Sequence, residues 1–174
     1  PVQDADAATK AYVDSVAQGL DVKASCLAAT TGTLAAASGG TTSYNNGTSG
    51  VGATITTTGT FLLIDGANIQ TAGTRVLVKN EGNAAWNGIY TYTNTTTLTR
   101  ATDFDNGSPS GEIPGAFTFI EAGSTQADSG WVCTTNSPVT VGTTSINFTQ
   151  FSGAGSYTAN TSAGLSLTGT VFSA

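Results

Sequence analysis

RVLVK at residues 75–79 and GIYTYT at residues 88–93 are the stretches that decide the fold of this chain. In the second stretch Tyr90 and Tyr92 share one face of an extended chain, and Ile89 falls on the other. A period of two is typical of β-strands, in which successive side chains point to opposite faces. Turn-forming Asn and Gly residues separate the two stretches. The pattern therefore predicts two short strands with a turn region between them.

Four further runs show the same period and are bounded by Gly, Asn, Asp or Pro. They are VKASCLAAT (22–30), AFTFIEAG (116–123), WVCTT (131–135) and SINFTQF (145–151). Short strands at nearly regular spacing, with turn residues between them, are typical of sandwiches and barrels. We predict a mainly β domain over residues 21–153, folded as an antiparallel β-sandwich or flattened barrel.

The composition excludes several classes of protein. Charged residues make up 9% of the 174 residues, against roughly 25% in an average globular domain. High charge is typical of disordered tails and coiled-coil rods, so neither class fits. The net charge is −6 and the five Lys and Arg residues are scattered, whereas nucleic-acid binders carry a clustered basic surface. The longest strongly apolar run, FLLI, is far shorter than a membrane span. We expect neither a nucleic-acid partner nor membrane insertion.

The first twenty residues differ from the rest of the chain. DAATKAYVDSVAQGL, residues 6–20, has apolar side chains at spacings of three and four, which predicts a helix. The apolar stripe consists of Ala8, Tyr12, Val13, Val16 and Leu20. An isolated helix of about four turns is marginal in water. The stripe must therefore be buried, either against its own domain or against copies of itself.

The end of the chain predicts a third unit, over residues 154–174. Gly, Ser, Thr and Ala dominate there, and apolar residues flank the turn formed by Thr168, Gly169 and Thr170. This pattern predicts a small β-hairpin separate from the main sheets. The chain contains no Met, so we expect it to be a segment of a longer polypeptide.

Few residues of the chain are suited to catalysis or metal binding. There is no His, the commonest general base and metal ligand. Asp103 and Asp105 begin a D-x-D-N-G string that superficially matches a calcium loop, but the twelfth position is Pro114 rather than Glu. Cys26 and Cys133 are interpreted as buried small side chains, with a single disulfide as the alternative. We expect no enzyme activity, no catalytic residues, no metal site and no cofactor.

Two long polar segments are the candidates for ligand contact, residues 38–52 and residues 103–114. Long loops in compact domains are often functional, and aromatic rings pack well on the apolar faces of sugars. The candidate ligand-facing residues are Tyr44, Asn46, Trp86, Asp103 and Asp105. Most other aromatic residues are interpreted as core, because an Ala-rich sandwich needs bulky side chains inside.

Several blocks of the sequence resemble, in order, a domain of bacteriophage tail-fibre and related virion structural proteins. The blocks are DAATKAYVDSVAQGLDVKAS (6–25), SYNNGTSGVGATIT (43–56), RVLVKNEGNAAWNGIYTYT (75–93), LTRATDFD (98–105), DSGWVCTT (128–135) and GTTSINFTQFSGAG (142–155). The resemblance implies a homotrimer located in the virion tail, with itself and other tail or baseplate proteins as partners. It makes residues 1–20, with their stripe, the candidate trimerisation segment.

Two functions are compatible with these observations. The first is a structural module of a tail fibre that links the tail to host-facing parts. The alternative is a receptor-binding domain that recognises a glycan on the host surface, through residues 38–52 and 103–114. The apolar stripe is the sequence feature that favours the first function. The rings of Tyr44 and Trp86 are the features that favour the second.

Overall fold

The computed structural model describes residues 21–105 and 111–152, together with the backbone of residues 166–168 and 171–173. The helix predicted over residues 6–20 lies outside the described residues. So does the predicted stripe of Ala8, Tyr12, Val13, Val16 and Leu20. The trimerisation segment therefore remains a prediction.

Short strands dominate the described chain. In chain order they are β1 (Asp21–Val22), β2 (Ala28–Ala29), β3 (Thr42–Asn45), β4 (Thr54–Thr57), β5 (Leu63–Ile64), β6 (Ala67–Asn68), β7 (Arg75–Val78), β8 (Gly88–Asn94), β9 (Thr97–Arg100), β10 (Ala116–Ile120), β11 (Ser129–Cys133), β12 (Phe148–Ser152), β13 (Ser166–Thr168) and β14 (Val171–Ser173). The described residues also form one α-helix, α1 (Leu34–Ser38), and one 3-10 helix (Ala84–Trp86).

Two main sheets contain most of these strands. The six-stranded sheet has the order β2–β7–β8–β9–β4–β3, and the four-stranded sheet has the order β1–β10–β11–β12. All neighbours are antiparallel except the pairs β2–β7 and β1–β10, which are parallel. Both sheets are open, so among the described residues the fold is a sandwich of mixed sheets and not a closed barrel. The predicted mainly β fold is confirmed.

The core between the two sheets contains side chains from both of them. Leu77 and Ile89 come from the six-stranded sheet, and Ala116, Ile120 and Cys133 come from the four-stranded sheet. These side chains are almost completely buried. Burial of this apolar surface is the main favourable contribution to holding the sheets together.

A second core covers the opposite face of the six-stranded sheet. Its members include Val76, Val78, Tyr90 and Tyr92, of which the period of two placed the two tyrosines on one face. Side chains from α1, the β5–β6 hairpin and the preceding loop close this core; they are Leu34, Phe61, Ile64 and Ile69. The β2–β7–β8 part of the six-stranded sheet is therefore buried on both faces, whereas Ser43 on β3 and Thr56 on β4 are exposed.

The segment from β1 to β2 belongs to both sheets. Its beginning pairs with β10, Cys26 forms an isolated bridge with Ile120, and its end pairs with β7. The predicted continuous alternation over 22–30 is wrong in this respect. Val22 is exposed, while Ala28 and Ala29 are both buried, because the segment crosses from the edge of one sheet to the edge of the other.

Some element boundaries differ from those predicted. The polar stretch at residues 38–52 is not all loop: it contains β3 and the end of α1. The helix is five residues long. It begins where the Thr33 side chain accepts a hydrogen bond from the amide of Ala36, and it ends at Gly39 with φ of 68°. A helix this short has no periodic sequence signal, and its caps define it.

The C-terminal hairpin is present as predicted. β13 pairs antiparallel with β14, with Leu167 opposite Phe172. Residues 169 and 170 lie outside the described residues.

Candidate functional site

Tyr44 and Trp86, from different elements, stack on each other. Tyr44 lies on the edge strand β3 and Trp86 ends the 3-10 helix before β8. Their ring centroids are 5.4 Å apart and the ring planes differ by 16°. Both rings are half-buried and pack against the second core. The structure thus brings together the two rings that the sequence singled out, although Tyr44 is on a strand and not in a loop.

Asn46 fixes the position of the Tyr44 ring. The Tyr44 hydroxyl donates a hydrogen bond of 2.7 Å to Oδ1 of Asn46, and Nδ2 of Asn46 donates one of 3.0 Å to the Val141 carbonyl. A Cβ at Gly142, where φ is 83°, would lie 2.6 Å from Oδ1 of Asn46. The Asn46 amide is thus held between the ring and the loop near Val141, and both of its polar atoms are used within the chain.

The two predicted ligand-contact segments meet at Gly50. A Cβ at this glycine would lie 2.4 Å from the Asp105 carbonyl oxygen and 2.8 Å from Cβ of Val141. The φ of Gly50 is 108°, a conformation that L side chains rarely adopt. Segment 46–50, the Asp105 backbone and the Val141 loop therefore form one surface next to the stacked rings. We call this surface, with Tyr44 and Trp86, the ring-and-loop surface.

A buried arginine supports the Trp86 end of this surface. Arg100 is 1% exposed. Its Nη1 donates to the Asn87 carbonyl at 3.1 Å, and its Nη2 donates to the Trp86 carbonyl at 3.3 Å and to the Tyr90 hydroxyl at 2.8 Å. The guanidinium also lies 4.8 Å from the Tyr90 ring centroid. Hydrogen bonds that involve a charged donor are among the stronger ones in proteins, so this group fixes the backbone that presents Trp86.

The Tyr90 hydroxyl belongs to the same network. It donates a hydrogen bond of 2.6 Å to the Trp86 carbonyl. Burial raises the pKa of Tyr90 well above its ordinary value, although the neighbouring Arg100 opposes the shift. Tyr90 therefore stays neutral and acts as a hydrogen-bonding group of the support, not as an acid or base.

The supporting role of Arg100 was not predicted from the sequence. A signal was present in TLTR, where Leu98 and Arg100 are two residues apart and so share one face of β9. A period of two places the arginine with Leu98 in the second core, next to Tyr90 across the strands. A cation on a buried face is rare enough to mark a structural role or a functional site.

The two candidate aspartates differ in exposure, and their ligand-facing role stays a prediction. Asp103 accepts hydrogen bonds of 2.9–3.1 Å from both terminal nitrogens of Arg75, in a bidentate ion pair. Asp105 is 4% exposed. The Asp103 side chain is 38% exposed even in this ion pair, whereas the buried Asp105 meets the ring-and-loop surface through its backbone carbonyl.

A second unusual surface lies on the outer face of the four-stranded sheet. Phe117 and Phe119 on β10 meet at 5.1 Å with ring planes 87° apart, and Phe117 meets Phe151 on β12 at 5.6 Å and 88°. The exposed fractions are 50% for Phe119, 67% for Phe151 and 69% for Val22, which pairs with Phe117. We call these four residues the Phe face. Large exposed apolar patches of this kind mark interaction sites.

The inner face of the same strand is polar at its centre. Thr118 lies between the two phenylalanines in sequence, is buried, and donates a 3.0 Å hydrogen bond to the Ala24 carbonyl. The alternation in AFTFIEAG is therefore as predicted, but Phe119 is not a core residue. The sequence period does not say which face a neighbouring sheet covers.

The reactive groups of the described chain are enclosed. Cys26 and Cys133 are free thiols and both are buried. Burial raises the pKa of Cys26 to about 11 and also raises that of Cys133. Among the described residues, no group of three His, Cys, Asp or Glu side chains is placed to hold a metal ion. A cleft of about 280 Å³ beside α1 is lined by residues 30–33, 36–37 and 63–65, with Asp65 as its one ionisable side chain. The side chains that line this cleft include no thiol or amine nucleophile.

The chain matches none of the protein-family models, curated proteins or solved structures with which it was compared. Within the part of the chain that the structure describes, no helix is long and apolar enough to cross a membrane.

Proposed function

We propose that this chain is a structural module of a bacteriophage tail fibre that assembles as a homotrimer and links the tail to host-facing parts. The resemblance of its sequence blocks to fibre domains supports the virion assignment. The geometry of the four-stranded sheet supports the linking role.

The observation that carries the proposal is where the chain enters and leaves this sheet. β1 runs parallel to β10, and β10 and β12 are each antiparallel to β11, so β1 and β12 point the same way. The chain thus enters at Asp21, at the start of one edge strand, and leaves at Ser152, at the end of the other. A five-residue strand spans roughly 17 Å. Entry and exit at opposite ends of one sheet suit a module placed in line with others.

The mass of the whole chain in solution tests the homotrimer. A trimer of this 17.3 kDa chain has a mass of about 52 kDa, and a closed cyclic assembly keeps a definite mass. We expect light scattering to give that mass at two protein concentrations tenfold apart. A mass of 17.3 kDa at both concentrations would contradict the homotrimer.

Substitutions in the predicted stripe test whether it is part of the interface. Val16→Asp places a charge on the stripe, and we expect it to lower the mass to that of the monomer. Gln18→Asp places the same charge on the opposite side of the predicted helix and should leave the trimer intact. If both variants remain trimeric, the stripe is not an interface.

A second candidate function, glycan binding, is favoured by the pairing of Tyr44 with Trp86. Two half-buried rings presented beside three converging loops offer an aromatic surface for the apolar face of a sugar ring. The polar atoms of Asn46 are already hydrogen-bonded within the chain. Sugar hydroxyls would therefore bond to the exposed backbone and hydroxyl groups of the loops.

A glycan array probed with the wild-type protein tests this second function. We expect Tyr44→Ala and Trp86→Ala to lose at least tenfold in binding to any glycan that the wild type retains. Trp131→Ala is the matched control, because Trp131 is also half-buried but Lys79 Nζ covers its ring at 4.1 Å. Equal loss in all three variants, or no retained glycan, would reject this candidate.

A further inference from the structure

The Phe face is the largest group of exposed apolar side chains on the described chain. The other large exposed apolar residues are Val51, Leu62 and Leu63, on other elements. By contrast, the rings of the Phe face touch each other and form one continuous patch. Phe117 is itself buried, because Phe119, Phe151 and the side-chain-free Gly130 surround it. The patch is therefore a packed apolar surface with one side open to solvent.

The same sheet receives the chain directly from residues 6–20. Leu20, the last member of the predicted stripe, precedes Asp21 at the start of β1, and Val22 on β1 belongs to the Phe face. The sequence thus supplies an apolar stripe that needs burial, and the structure supplies an apolar face that nothing described covers. A 15-residue helix is about 22 Å long, which is enough to cross strands that span roughly 17 Å.

We propose that, in the homotrimer, the Phe face of each copy is covered by residues 6–20 of a neighbouring copy. This inference rests on the proposed homotrimer. It adds which surface of each copy binds the stripe, and how three copies close into a cyclic assembly.

A neighbouring copy is favoured over the same copy because the trimer needs an apolar interface. If the stripe of each chain covered its own Phe face, both surfaces would be used within one copy. The described residues would then offer between copies only the scattered Val51, Leu62 and Leu63. A contact between two different patches, repeated head to tail, closes a ring when the rotation fits. One such contact, made three times, buries every stripe and every Phe face.

Charged substitutions on the Phe face test the receiving surface. We expect Phe119→Asp and Phe151→Asp to reduce the mass in light scattering from about 52 kDa to that of the 17.3 kDa monomer. Leu63→Asp is the matched control, because Leu63 is also 50% exposed but lies on β5, which is not a strand of the four-stranded sheet. Circular dichroism would establish that the variants are folded. The milder Phe119→Ser serves if Phe119→Asp fails to fold.

Crosslinking tests which copy supplies the stripe. A chain with Val16→Cys and Phe119→Cys is treated with a short bis-maleimide reagent and run on a denaturing gel. The native thiols are buried and should not react. We expect covalent dimers and trimers from the double variant and only single chains from each single variant. Crosslinked single chains alone would place the stripe on its own copy and overturn the inference.

The outcomes separate this inference from the proposed function. A wild-type monomer overturns both. A wild-type trimer that persists in Phe119→Asp and Phe151→Asp overturns the inference and leaves the homotrimer intact, with the stripes then packing on one another. A wild-type trimer, monomeric Phe-face variants and crosslinks between chains would support the inference.

Discussion

The two main sheets differ in how they cover their faces. The β2–β7–β8 part of the six-stranded sheet is enclosed by one core toward the four-stranded sheet and by a second core under α1 and the β5–β6 hairpin. Among the residues that the structure describes, the four-stranded sheet is covered on its inner face only, and its outer face exposes Phe119, Phe151 and Val22. An enclosed sheet is complete within one copy of the chain. A sheet with an open aromatic face depends on something else to remove that surface from water.

We expect the largest effect on the free energy of unfolding when a substitution in the core is compared with one on the Phe face. Ile55→Ala removes a completely buried side chain from the six-stranded sheet, and we expect the free energy of unfolding to fall by about 3 kcal/mol. Phe119→Ala should cost less than about 1 kcal/mol in a monomeric background such as Val16→Asp. Urea unfolding measures both. A larger cost for Phe119→Ala in the monomer would show that the Phe face is already part of a core.

Removing the buried cation should have the next largest effect. Arg100→Met keeps much of the side-chain volume but leaves the carbonyls of Trp86 and Asn87 without this donor, so we expect a loss of about 2 kcal/mol. Arg75→Met is the control. Its guanidinium forms a partly exposed ion pair with Asp103, and such pairs contribute about 1 kcal/mol or less. Equal losses in urea unfolding would contradict the supporting role of Arg100.

The coupling between stacked rings should be smaller still. A double-mutant cycle with Tyr44→Leu and Trp86→Leu should give a coupling free energy of about 1 kcal/mol. A double-mutant cycle on Phe117 and Phe119 gives the corresponding coupling free energy between two rings of the Phe face. If the Phe pair were coupled much more strongly in a monomeric background, the face would be stabilised by its own rings. Its need for a covering segment would then be reduced.

The smallest expected effect concerns pH. Burial raises the pKa of Glu81, although the hydrogen bond from the Leu34 amide opposes the shift. A raised pKa in the folded state favours folding below the unfolded pKa of about 4.3, and this advantage is lost as the pH rises through the folded value. Glu81→Gln keeps an acceptor without the charge. We expect it to flatten the dependence of stability on pH just above 4.3, with a gain at pH 7 below about 1 kcal/mol.

Thermal unfolding of the wild type and Glu81→Gln at a series of pH values provides the check. Glu81→Ala, which removes the acceptor, should instead lower stability at every pH. If Glu81→Gln also lowered stability at pH 7, the charge itself would be required at the start of α1.

The sequence predicted the strand faces but not their surroundings. The opposite placement of Ile89 and Tyr90 on β8 followed from the period of two, because the backbone itself imposes that period. Whether a face meets another sheet or solvent depends on packing between distant segments. For this reason Phe119 was expected in the core and is half exposed.

Only part of the candidate site could be predicted, because some of its contacts also join segments that are distant in sequence. Turn chemistry and loop length indicated the region of Tyr44, Asn46 and Trp86, and the structure brings these residues together. The ion pair of Asp103 with Arg75 was not predicted, because it joins residues 28 positions apart, and the ligand-facing roles of Asp103 and Asp105 stay predictions. Local sequence patterns carry little information about such a pairing.

The path of the chain through the four-stranded sheet has a mechanical consequence. A pull between Asp21 and Ser152 in opposite directions acts along β1 and β12, which are the two edge strands and point the same way. The hydrogen bonds between the strands are then loaded together in shear and are not peeled one at a time. Tension would pass across β10 and β11, while β3, β4, β8 and β9, with the stacked rings, lie outside the shortest path. The four-stranded sheet, which connects Asp21 to Ser152, can thus bear strain while the stacked rings keep their geometry.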